Sequence, residues 1–162
     1  MKRGEKIVFG LIALVVLATI TRNVVTLEMQ TKTDPGIPFY TTATPQLAQA
    51  GALLYRNQQC RECHSLWSVR NMMESVPAPA LDGIGSLRTE EWLYDYLSSS
   101  NPQTILQSRM KVEYRMPTYA ALPEADRRTL AQYLASLEVQ DWYLEDTRKA
   151  EYEKRTGLDY HP

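Results

Sequence analysis

Cys60-Arg61-Glu62-Cys63-His64 is the most informative run of this 162-residue chain, holding both of its cysteines and one of its two histidines. A Cys-x-x-Cys pair has several readings. As a disulfide it closes a small loop. As a thioredoxin-like redox pair it needs a strand-helix-strand setting, and as half of a zinc site it needs two further ligands. The flanking residues carry no strand patterning, and the other histidine, His161, stands beside the C-terminus. The redox and zinc readings therefore lack their context.

A histidine directly after the second cysteine points instead to attachment of a c-type haem. Sulfurs three positions apart on a helical turn reach the two vinyl groups of one porphyrin edge, and the next residue faces the iron. One haem c on Cys60 and Cys63 is expected, with His64 as the first axial ligand. Haem iron that transfers electrons usually takes a sixth ligand, and methionine raises its potential. Met72, Met73, Met110 and Met116 come after the motif. Met116 is the expected ligand, because Pro117 and then a helical stripe at Leu130, Tyr133, Leu134 and Leu137 come after it. Pro123, Glu124 and Asp126 suit the start of that helix. Met110 is the main rival. Met72 and Met73, only eight and nine residues past His64, are expected to pack on the ring or cover a loop. A bis-histidine iron through His161 would require the tail to fold back.

In this order of parts the chain resembles the class I monohaem c-type cytochromes, over residues 45 to 137. Those proteins run through a first helix, C-x-x-C-H, a proline-containing loop, a middle helix, Met-Pro and a closing helix that crosses the first. The resemblance implies an all-α fold with crossing N- and C-terminal helices and haem-enclosing loops. Gly51 and Tyr55, in PQLAQAGALLYRN, match the positions where the first helix meets the closing helix at Leu130 and Tyr133. A glycine inside a helix costs about 1 kcal/mol relative to alanine, so close helix approach is a sensible reason for one. The loop VPAPALDGIG (76–85) implies that the Pro79 carbonyl accepts the His64 Nδ1–H bond. Trp92, opening the helix TEEWLYDYLSS, is either core or a contact to a haem carboxylate.

Upstream, residues 7–20 (IVFGLIALVVLATI) carry no charge and come after Lys2, Arg3 and Lys6. Fourteen helical residues reach only about 21 Å, but residues 7–27 reach about 31 Å, enough for a hydrocarbon core. With Arg22 able to snorkel and no A-x-A-like cleavage pattern, residues 1–27 read as one membrane anchor rather than a cleaved signal. The basic N-terminus stays cytoplasmic, which places the rest on the periplasmic side of a bacterial inner membrane. Residues 28–44, with Pro35, Gly36 and Pro38, show no period and read as a flexible tether. The folded part is expected to begin at Thr44-Pro45.

Lys plus Arg number 18 and Asp plus Glu 19, which argues against a nucleic-acid partner. Residues 45–137 are neutral, with nine basic and nine acidic side chains, whereas 138–162 carry seven acidic and four basic ones. A neutral tethered domain suits a carrier working at high local concentration beside its partner. The expected function is one-electron transfer between redox proteins of a respiratory chain, with both axial positions filled and no small-molecule substrate. Two other readings stay open. One is the cytochrome c subunit of a larger membrane complex such as nitric oxide reductase, since Cys63-His64-Ser65-Leu66 resembles that subunit. The other is a haem sensor or enzyme with an open iron position. The extension 138–162, with Trp142, Tyr143, Tyr152 and Tyr160, is expected to be helical near 140–155, either covering the domain or docking a partner.

Overall fold

A computed structural model of the chain describes residues 3–33, 35–67, 69, 76 and 78–162. They form two compact units, Met1–Gly36 and Ile37–Pro162, and are mostly helical.

The first unit is built on helix α1, Arg3–Thr33. Its segment Lys6–Thr26 has a mean hydropathy of 2.1, long and apolar enough to cross a membrane. The hydroxyls of Thr19, Thr21 and Thr26 each donate to a carbonyl one turn back, at 2.8 Å. These polar groups are thus satisfied within the helix itself. The segment 28–44, expected as an irregular tether, is only partly one. α1 continues through residues 28–33, and Phe39–Thr41 form strand β1, so the irregular stretch between them is short. Glu28, Met29, Gln30 and Lys32 are good helix formers that propagate an existing helix without needing an apolar stripe.

In the second unit, helix α2 (Pro45–Asn57) starts where Thr44 Oγ1 accepts the Leu47 N–H at 3.3 Å, with Pro45 in the first turn. Thr44→Ala should lower stability by about 1 kcal/mol, read as a small drop in denaturation midpoint with unchanged absorption. Helix α3 (Glu90–Ser98) is capped likewise, Thr89 Oγ1 accepting the Trp92 N–H at 3.2 Å. Helix α4 (Glu124–Ala135) opens after Pro123 with Glu124 and Asp126 in its first turn. It packs on both α2 and α3. Tyr55, Leu93, Leu97, Leu130, Tyr133 and Leu134 form the core between the three helices. At the α2–α4 crossing, a Cβ added to Gly51 would clash with the Cβ and ring of Tyr133.

Leu137, expected on the closing helix, lies beyond it. α4 stops at Ala135, where the Ser136 hydroxyl turns back to donate to the Tyr133 carbonyl at 2.6 Å. Leu137 is only 1% exposed nonetheless, because it enters strand β2, Leu137–Val139. β2 runs antiparallel to β1, with Phe39 opposite Val139 and Thr41 opposite Leu137. Backbone bonds from Thr42 N–H to Ser136 O (3.0 Å) and from Gln140 N–H to Pro38 O (2.8 Å) extend the ladder at both ends.

The division at residue 138 therefore falls inside a strand. Beyond β2, a turn at Asp141–Tyr143 and helix α5 (Leu144–Thr156) belong to the same compact unit. Tyr143 meets Phe39 edge to face at 5.5 Å, and Thr147 is buried. Gly83, at φ +77, lies where a Cβ would collide with Val139, so the 76–85 loop is seated against the extension too.

Candidate functional site

α2 delivers the chain to the motif. Gln59, in the left-handed region at φ +57, turns it into a single 3₁₀ turn over Cys60–Glu62. The N–H groups of Cys63 and His64 both donate to the Cys60 carbonyl, at 3.3 and 2.9 Å. This is the helical turn that the cysteine spacing requires. Cys60 and Cys63 are not joined by a disulfide. Burial pushes the Cys60 thiol up to about 11, opposite to the depressed value of a reactive redox cysteine.

His64 is held from two directions. The Tyr55 hydroxyl donates to its backbone carbonyl at 3.1 Å, and its own Nδ1 lies 2.7 Å from the Pro79 carbonyl. A carbonyl only accepts, so Nδ1 carries the proton and Nε2 keeps a lone pair for a metal. Burial lowers the imidazolium's affinity for its proton, with the Pro79 carbonyl opposing it, which favours the neutral ligand form. The same loop is clipped to the motif by Leu81 N–H to Ser65 O at 2.9 Å.

These residues line a cavity of about 530 Å³, within the usual range for cofactor pockets. Cys60, Cys63 and His64 form one side, and Leu93, Leu97, Leu130 and Leu134 an apolar wall. Pro79, Trp92, Met110 and Met116 also reach the lining. Cys60, Cys63, His64, Pro79, Trp92 and Met116 are thus gathered around one space, and both main candidate methionines share it. Met72 and Met73 lie outside the described residues. His161 is exposed and does not line the cavity. Trp92 stacks on Tyr96 (centroids 5.1 Å apart, 12° between planes) and carries the Arg88 guanidinium 5.0 Å from its ring. It is a packing residue and a lining residue at once.

Thiols three residues apart, an imidazole with a free Nε2, thioethers and apolar walls suit a covalently held haem. Among the described residues, no group of three or more His, Cys, Asp or Glu side chains is placed to hold a bare metal ion.

The family model for Cytochrome c matches residues 48–138, more than half of the chain. The chain belongs to the cytochrome c family. Haem c, covalently attached, is therefore its cofactor, and Cys60 and Cys63 have the spacing that attaches it. The matched span runs from within α2 to within β2 and takes in the motif, the Pro79 loop, Met116 and α4. Comparison with curated proteins and with solved structures gave no match.

Sequence reasoning missed part of the lining. Glu151, Lys154 and Arg155 of α5 reach the cavity, as do Arg88 and Gln103. Thr147, Glu151 and Arg155 recur at four-residue intervals, a faint sign of one inward face, but a face so polar reads as solvated.

Proposed function

We propose that this cytochrome is a membrane-anchored one-electron carrier whose haem iron is ligated by His64 and Met116. The observation that carries this reading is the presence of the Pro79-oriented His64 and of Met116 in the lining of a single cavity. With two protein ligands on the iron, no position is left for a substrate. Haem c supplies the iron that takes up and returns the electron. The chain's part is to keep the site dry with its leucine wall, to fix His64 Nε2 through the Pro79 carbonyl, and to offer a thioether that favours the reduced iron. In the same reading α1 is the anchor, Lys6 and the residues before it stay cytoplasmic, and the haem unit faces the periplasm. Its partners are redox proteins of the respiratory chain. The short connection between α1 and β1 supports a carrier kept near its membrane and acting at high local concentration.

Absorption spectra of the oxidised protein test the ligand. Met116→Ala should abolish the weak far-red band of thioether-ligated iron, whereas Met110→Ala should keep it. Retention of the band in Met116→Ala would overturn the assignment, and its loss in Met110→Ala alone would transfer the role.

A further inference from the structure

The wall that α5 adds to the cavity is chemically unlike the rest. Three cations stand there, Arg88 from the turn before α3 and Lys154 and Arg155 from α5, against one carboxylate, Glu151. Glu151 lies 3.1 Å from Arg88 and 3.4 Å from Arg155 and is only 12% exposed, so it braces both guanidinium groups. The other charged lining residues are Glu62 in the motif and Glu113 and Arg115 on the 110–117 loop.

Two buried donors of the cavity lining, Gln103 Nε2 and Arg155 Nε, also make no hydrogen bond. Gln103 Oε1 accepts the Ser108 N–H at 2.9 Å, but its Nε2 is buried without a hydrogen-bond partner. Arg155 Nε, within ion-pair range of Glu151 at 3.4 Å, likewise makes no hydrogen bond. Buried polar groups in native proteins are almost always satisfied. A wall with excess cations and unsatisfied donors is therefore made for an anion with several acceptor oxygens.

We propose that Arg88, Lys154, Arg155 and Gln103 hold the two carboxylates of the haem, making α5 part of the cofactor site although it lies outside the family-matched span. This rests on haem c occupying the cavity and not on which methionine ligates it. The cations act on the iron through the carboxylates they neutralise and are positioning residues. Positive charge at that edge favours the reduced state, and it keeps the carboxylates ionised to lower pH.

The test is spectroelectrochemical titration of the full-length, haem-loaded protein in detergent over a range of pH. Lys154→Gln with Arg155→Gln should lower the reduction potential and move its pH-dependent segment upward. Lys149→Gln, on the exposed side of α5, should match the parent. Arg155→Lys, tested singly, should recover much of the difference from Arg155→Gln, and if the double variant fails to load haem the single variants decide by the same criterion. A potential and pH profile equal to the parent's in the glutamine variants would overturn the proposal. The far-red band recorded on the same samples separates this from the axial-ligand question, since its absence in the parent would defeat Met116 while leaving the comparison of potentials intact.

Discussion

Gly51→Ala is expected to destabilise the haem unit by about 3 kcal/mol, the upper part of the range for overpacking. In an exposed helix the same change would stabilise by about 1 kcal/mol, so the sign itself is diagnostic. The methyl group has nowhere to go: the ring and Cβ of Tyr133 already occupy its position, and Tyr133 is 4% exposed. Relief requires α2 and α4 to separate, which would loosen the core around Tyr55 and Leu130 and the leucine wall of the cavity. Thermal unfolding should show a midpoint lower by about 10 °C. Adding Tyr133→Leu should not restore the loss, because leucine keeps the Cβ and Cγ atoms that the added methyl group meets. A Gly51→Ala protein more stable than the parent would refute the close approach.

The second large effect is expected at His64. His64→Ala removes the proposed axial nitrogen and leaves the Pro79 carbonyl without its donor, the latter alone worth about 1–3 kcal/mol. The variant should lose the low-spin spectrum and accumulate poorly in haem-bound form, as read by absorption and by haem staining of denaturing gels. Tyr55, whose hydroxyl holds the backbone of His64 rather than its ring, makes a useful contrast. Tyr55→Phe should retain the low-spin spectrum. A parent-like spectrum in His64→Ala would remove the residue from the iron.

Much of the fold and of the site is legible from residue order because the informative signals are local. The motif spacing, the Thr44 cap of α2, the Pro123 start of α4 and the Gly51–Tyr133 crossing each need only a few neighbouring residues or one family comparison. The Pro79 carbonyl likewise stands where the loop implied it. The hidden parts depend on long-range pairing. Phe39–Thr41 and Leu137–Val139 are each too short to show a period, and they meet across nearly a hundred residues. The inward face of α5 is hidden for a different reason. Its contributions are charged, and composition alone cannot distinguish a charged side chain turned to water from one turned to a cofactor. Met110 and Met116 both line the cavity, so the preference for Met116 still rests on the Met-Pro order rather than on placement.

The β1–β2 ladder also has a mechanical consequence. Any pull transmitted along the chain from α1 enters the haem unit at Phe39 and meets the ladder first. Its load passes sideways through the Phe39–Val139 and Thr41–Leu137 pairings, and through the Pro38–Gln140 bond, into the closing end of the chain. α2, which carries the Cys-x-x-Cys-His turn at its far end, begins only after that junction. With α1 as the proposed anchor, thermal tugging by that helix is grounded before it reaches the Cys-x-x-Cys-His turn, so the redox centre keeps a fixed geometry.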